Sequence, residues 1–197
     1  MTKSTFFVEE DKILSALFDE GMDILHLNKT DTSPLYYERL LSLLPDKLRK
    51  KTIVHQHFEL KNEYQLAGIH LQQLSTPIPN NYHGKITRSC SDFRLLKETR
   101  KKANYVLLEN IFDCIEDTTQ KATFNMLQIE QASRNGLIDK YVYAAGGMTL
   151  DNIKLAKDYG FGGVVIRGNL WNHFNIHNEA DFKAIITHFQ QLKKASR

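Results

Sequence analysis

The chain has 197 residues, 42% of them apolar and 25% charged, a composition that fits one globular domain with a substantial core and excludes a disordered chain. A net charge of +3, with basic residues scattered among acidic ones as in "LKETRKK", gives no basis for nucleic-acid binding. No apolar run approaches the ~20 residues needed to span a membrane. "MTKSTFFVEEDK" does not read as a targeting segment, so the expectation is a cytoplasmic protein with Cys90 and Cys114 as reduced thiols.

Short apolar runs alternate with helix-like stretches along the chain. "TFFVEE" from Thr5 reads as a first strand, and "DKILSALFDEG" as an amphipathic helix stopped at Gly21. "DILHLN" from Asp23 is a second strand, and Ser33-Pro34 opens a helix that runs to Pro45. "TIVHQ" from Thr52 is a third strand, followed by helical "FELKNEYQLA". "GIHLQ" from Gly68 is a fourth, and "STPIPNNYHG" a loop. "KITRSC" from Lys85 is a fifth strand, with Asp92 capping the helix after it, and "NYVLLE" from Asn104 a sixth. A long loop, "IFDCIEDTTQKAT", leads into the helix "FNMLQIEQASRNGLI". "YVYAAGG" is a seventh strand, "TLDNIKLAKDYG" a helix capped by Thr149, and "GGVVIRG" an eighth strand. "EADFKAIITHFQQLKK" closes the chain as an amphipathic helix.

Strand and helix alternating eight times predict a parallel sheet with crossover helices. The count of eight favours a single-domain (β/α)8 TIM barrel over residues 1–197, with an open doubly wound sheet as the other arrangement periodicity allows. In a barrel the functional residues come from the C-terminal ends of the strands, and the loops after the last two often hold phosphate. Gly146, Gly147, Gly168 and Asn169 stand at those ends, where bare backbone and helix N-termini favour an anion. The same glycines also suit tight strand–helix turns with no ligand.

Several segments in consistent order resemble the thiamine-phosphate synthases and their TenI-like relatives. "EGMDILHLN" is similar to that family's second strand, "LAGIHLQQ" to its "GADGVHLGQ", and "ANYVLLENIFD" to its "ADYV-x-x-GPIF". "YAAGGMTLDNI" and "GFGGVVIRGNLW" resemble "ALGGI-x-x-x-N" and "ADGVAVVSAI". The resemblance implies a barrel of thiamine biosynthesis and a phosphorylated thiazole or pyrimidine ligand, with a homodimer possible. It also implies a reaction that joins a pyrimidine diphosphate to a thiazole phosphate and releases pyrophosphate. Mg²⁺ and basic residues stabilise the leaving diphosphate in that chemistry.

Carried over residue by residue, the charged half of that site is missing. The family's Gln and Arg at the second strand correspond to His26 and Asn28, and its following lysine to Thr30. The Asn-Asp pair after the third strand corresponds to His55-Gln56, and the "GQ-x-D" after the fourth to Gln72-Gln73-Leu74-Ser75. Both carboxylates expected to hold Mg²⁺ are therefore absent, so no cofactor is assigned. Ser89 matches the family serine, Ser91 replaces the histidine that TenI-type isomerases use, and Lys121 stands near the lysine expected after "PIF". Lys29 and Lys121 are the two cations left to restore the diphosphate side.

The pocket expected on these grounds holds Asn28, Gln56, Ser89, Ser91 and Lys121, with His26 and His55 as the candidate acid/base groups. His26, His55 and His70 follow neighbouring strands, but their spacing matches no metal motif, and no metal ligand is assigned. Cys90 reads as a structural thiol. The acidic residues Asp113, Glu116 and Asp117 read as a solvated loop, and Trp171 with Phe174 as packing under the last helix. The functional expectation is a synthase-like barrel that binds thiazole phosphate or thiamine phosphate and couples poorly. The alternatives are a non-catalytic phosphate-ligand-binding regulatory protein, or an isomerase with a relocated histidine.

Overall fold

Seven short parallel strands lie side by side in the order in which they occur in the chain. The computed structural model describes residues 1–30, 33–173 and 180–196. The strands are β1 (Leu25–Leu27), β2 (Thr52–Val54), β3 (Gly68–Leu71), β4 (Lys85–Cys90), β5 (Tyr105–Leu108), β6 (Val142–Ala145) and β7 (Gly163–Val165). Between them run α1 (Glu10–Asp19), α2 (Pro34–Leu43), α3 (Asp46–Arg49), α4 (Leu60–Glu63), α5 (Phe93–Lys101), α6 (Met126–Arg134) and α7 (Leu150–Asp158), and α8 (Gly168–Trp171) and α9 (Ala180–Ser196) follow β7. A doubly wound sheet reverses its strand order part-way across. No reversal occurs here, so the sheet curls in one direction and the fold is an α/β barrel.

The expected strand at Thr5 does not form, and Glu10 opens α1 instead, after Glu9 at φ 64°. Phe6 and Phe7 serve as anchors for this segment. Phe6 meets Tyr37 edge-on at 5.4 Å, and Phe7 meets Trp171 at 5.8 Å. The eighth place in the ring is bridged near its top by the first four residues. Met1 N donates to Ile166 O at 3.0 Å, Thr2 N to His26 O at 2.9 Å, and Thr30 N to Ser4 O at 2.8 Å. A cavity of about 300 Å³ is left between β1 and β7, lined by Ile24, Leu25, Tyr143, Val164 and Phe189 among others.

Two apolar clusters hold the barrel. The larger runs from Ile13 to Leu192 and packs the outward faces of the strands, such as Leu27, Val54, Leu71 and Val106, against the helices. The smaller lies inside the ring, around Ile53, Tyr105, Leu107 and Ala145. Because successive strand residues face opposite sides, a strand buried on both faces reads as a continuous apolar run. The helix after Phe58 is shorter than its sequence suggests, only Leu60–Glu63, and a further turn, α3, follows Pro45. The caps at Asp92 and Thr149 form as expected, accepting from Arg94 N and Asn152 N, and Gly21 stands at φ 92° past α1. Trp171 packs on Phe7 and donates Nε1 to Met1 O at 2.9 Å, while Phe174 lies outside the described residues. No described helix is long and apolar enough to cross a membrane.

Candidate functional site

The upper interior of the barrel is polar, and three strands build it. His26 on β1, His55 just after β2 and His70 on β3 face inward together. His26 Nδ1 lies 2.9 Å from His55 Nε2, and His26 Nε2 lies 2.7 Å from the Tyr105 hydroxyl. The His55 and His70 rings stack with centroids 4.1 Å apart. His70 is held on its other side by β4, with Nδ1 2.8 Å from Thr87 Oγ1 and Nε2 3.0 Å from Ser89 Oγ. Ser89 Oγ donates to the Glu109 carboxylate, which also accepts from Gln72 Nε2 at 3.1 Å. A chain of polar groups thus runs from His70 through Ser89 to a carboxylate at the mouth.

Burial decides the charge of these rings. Loss of solvation, then repulsion from His70, holds His26 and His55 well below the ordinary histidine range. Burial, then the Arg88 guanidinium, lowers His70 to about 4. Burial pushes the Tyr105 phenol up. At neutral pH the cluster is therefore three neutral imidazoles and a neutral phenol.

The glycine-rich strand ends lie on the far side of the mouth, where the loop after β5 folds across them. Gly146 and Gly147 have φ of 98° and 64°, a conformation that favours glycine. A Cβ at Gly147 would sit 2.5 Å from Asp113 O, one at Gly146 2.9 Å from Asn110 Cα, and one at Gly168 2.8 Å from Glu116 Cγ. The chain's own loop thus comes close to the bare backbone at these positions. The side chain of Asn169 turns away to His188 on α9, at 2.7 Å. The acidic loop residues are engaged: Glu116 pairs with Arg167, Asp113 with Lys121 at 3.1 Å, and Asp117 binds Thr119.

The family model for thiamine monophosphate synthase matches residues 5–170. The chain belongs to the thiamine monophosphate synthase family. Members of this family serve thiamine biosynthesis and bind phosphorylated thiazole and pyrimidine substrates. A solved thiamine phosphate pyrophosphorylase from Bacteroides thetaiotaomicron is 40% identical, with TM-score 0.89, over 99% of this chain and 94% of that one. A thiamine phosphate pyrophosphorylase from Pyrococcus furiosus, 16% identical with TM-score 0.71, covers 95% of this chain and 89% of its own. The tryptophan synthase alpha subunit from Legionella pneumophila, 13% identical with TM-score 0.66 over 100% of this chain and 90% of its own, shares the fold. No curated protein matches the chain.

In this member of the thiamine monophosphate synthase family, the residues expected at the charged side are neutral or already committed. The Gln56 amide accepts from the Tyr37 hydroxyl and donates to Lys29 O at 3.1 Å. Lys29, fully buried, pairs with Glu10, donates to Thr5 O at 3.0 Å and lies 4.5 Å over the Phe6 ring. It therefore points away from the mouth, as strand alternation requires. Lys121 is exposed and bound to Asp113. Asn28 is held at the end of β1 by Thr2, whose Oγ1 accepts from Asn28 N at 3.1 Å and donates to Asn28 O at 2.9 Å. Ser91 is exposed, outside the histidine cluster.

Sequence reasoning passed over Tyr105, Glu109 and Glu10. Tyr105 and Tyr143 carried the one available signal. Each is a tyrosine inside a buried strand, and a buried hydroxyl requires a partner. Their rings stack at 4.4 Å inside the barrel.

Proposed function

We propose that this protein binds thiazole phosphate or thiamine phosphate and couples the thiazole to a pyrimidine diphosphate poorly or not at all. The observation that carries the reading is the commitment of Lys29 to Glu10, which turns away from the mouth one of the two cations expected on the diphosphate side. Lys121, the other candidate, is engaged with a carboxylate on its own loop. A leaving diphosphate needs positive charge where it forms.

The residues at the strand ends do not fit Mg²⁺. That ion takes carboxylate and phosphate oxygens. Here the two positions expected to carry carboxylates hold Gln56, whose amide is occupied by Tyr37 and a backbone carbonyl, and Ser75, whose hydroxyl donates to Gln73 Oε1 at 3.4 Å. No step is therefore routed through the ion.

The phosphate is assigned to the backbone at Gly146, Gly147, Gly168 and Asn169. β6 and β7 are paired neighbours, and α7 and α8 start just beyond them at the same end of the barrel. Amide groups at a helix start suit an anion. An acid/base activity is a second reading. It rests on the His70–Ser89–Glu109 chain and on His55, the least buried of the three histidines.

Calorimetric titration with thiazole phosphate and with the unphosphorylated thiazole alcohol tests the ligand. Binding of the phosphate form at least tenfold tighter is expected, and equal binding or none overturns the assignment. Supplying both phosphorylated precursors with Mg²⁺ tests the chemistry. Pyrophosphate release at ordinary enzyme rates, about 1 s⁻¹ or faster, overturns the reading of a lost coupling step.

A further inference from the structure

We infer that His26, His55 and His70 form a binding site for one divalent transition-metal ion of the zinc type in the throat of the barrel. The inference does not rest on the function proposed above. It starts from placement. The three residues stand on adjacent strands or at their ends, and one ligand-capable nitrogen from each lies within 4.8 Å of the others. Among the described residues this is the one such group of three or more histidine, cysteine or carboxylate side chains.

The distances are close to those a metal needs. With zinc–nitrogen bonds of about 2.0–2.1 Å, a tetrahedral ion separates its ligand nitrogens by about 3.3 Å. His26 Nδ1 and His55 Nε2 are 2.9 Å apart, so they need to part by only a few tenths of an ångström for an ion to take the place of their shared proton. His70, stacked on His55, supplies the third nitrogen by a side-chain shift that releases one of its two hydroxyl partners, Thr87 or Ser89.

The outer partners that orient metal-bound imidazoles are also in place. Such a ring usually holds its second nitrogen on a hydroxyl, carbonyl or carboxylate. His26 Nε2 is on Tyr105, and His70 has Thr87 on one nitrogen and Ser89 on the other. Whichever nitrogen His70 gives to a metal, the other keeps a hydroxyl partner. The rings sit at the ends of neighbouring sheet strands, His26 and His70 buried and His55 half-buried, and a ligand imidazole must be in its unprotonated form. No proton is released on binding, since each ring keeps one N–H and only the tautomers shift.

The ligand set selects the ion. Imidazole nitrogens suit Zn²⁺, Co²⁺, Ni²⁺ and Cu²⁺, whereas Mg²⁺ takes oxygen. Three protein ligands leave the fourth position to water or a ligand oxygen. The barrel thus carries three imidazoles for a borderline cation where its resemblance led to an expectation of carboxylates for a hard one.

The test titrates chelator-treated, dialysed protein with Co²⁺ and follows its visible absorption. One Co²⁺ per chain is expected, with the strong absorption of a four-coordinate ion, displaced by one equivalent of Zn²⁺ and not by excess Mg²⁺. His55→Ala, at the least buried ring, should weaken binding at least a hundredfold, and His70→Gln likewise. His83→Ala, on an exposed loop, should change nothing. Circular dichroism confirms that each variant is folded, and the His55→Ala result stands if His70→Gln does not fold. Absence of stoichiometric binding, binding that survives His55→Ala, or binding lost in His83→Ala overturns the proposal.

Discussion

The imidazole of His55 lies flat against that of His70, with ring centroids 4.1 Å apart and planes 20° from parallel. Two charged imidazolium rings would repel at that distance, and burial already disfavours either charge. The pair is stable as neutral rings and becomes a liability as the pH falls.

The folded value of His70 is about 4, against an unfolded value near 6.5. A histidine lowered by folding contributes its full stability above pH 6.5 and loses it as the pH falls toward 4. The stability difference between the wild type and His70→Gln should therefore shift against the wild type by on the order of 3 kcal/mol between pH 7 and pH 4. Urea unfolding across that range checks it, and a difference independent of pH would show that His70 is not held neutral.

Glu10 and Lys29 give the opposite slope. Burial, opposed by Lys29, raises the Glu10 carboxyl to about 7, and burial also lowers Lys29. A group raised by folding gives its full contribution below its unfolded value and loses it as pH rises through its folded value, here from about 4.5 to about 7. Relative to Glu10→Gln, the wild type should lose stability over that window and stay level above it. Lys29→Met alone leaves a buried carboxyl without its partner and should cost about 3–5 kcal/mol at pH 8. The Glu10→Gln/Lys29→Met double variant should cost clearly less than Lys29→Met, which a double-mutant cycle by denaturant unfolding measures.

Gly147→Ala should destabilise the protein by at least about 2 kcal/mol. The left-handed backbone costs roughly 1–2 kcal/mol for a residue with a Cβ, and that Cβ would press on Asp113 O at 2.5 Å. The loop after β5 must lift to admit it. Denaturant midpoints check the cost, and proteolysis within residues 110–123 checks the lifting. An unchanged midpoint would mean that the loop does not rest on the strand end.

Tyr105→Phe removes the hydroxyl that lies 2.7 Å from His26 Nε2 and leaves a buried ring nitrogen unpaired. The expected cost is about 1–3 kcal/mol. Tyr143→Phe, on the neighbouring half-buried ring, should cost less. Equal losses at the two positions would mean that the hydrogen bond to His26 contributes nothing.

Much of the architecture was legible in local pattern. β4 spans the six residues that "KITRSC" marks, and the caps at Asp92 and Thr149 form where a short polar side chain precedes an amphipathic run. The run at Thr5 misled because Phe6 and Phe7 are apolar for a different reason. They anchor the N-terminal segment on Tyr37 and Trp171, partners distant in the chain. The strand-end glycines read the same with or without a ligand. The pattern shows that a side chain is excluded there, but not whether a ligand or the chain's own loop excludes it.

Alternation, capping residues and turn glycines are local, so the sequence by itself determined a parallel α/β sheet and the order of nearly all its elements. The run of strands without a reversal, which decides the barrel, is a fact of the tertiary structure. Ordered motifs along the chain also determined its kinship. The tertiary structure alone decided what each polar side chain faces. Lys29 pairs with Glu10 across 19 positions, and His26 meets Tyr105 across 79. The curl of the sheet brings strands far apart in sequence round a common interior, and at its throat stand three uncharged imidazoles. Burial, a property no residue has alone, sets their charge.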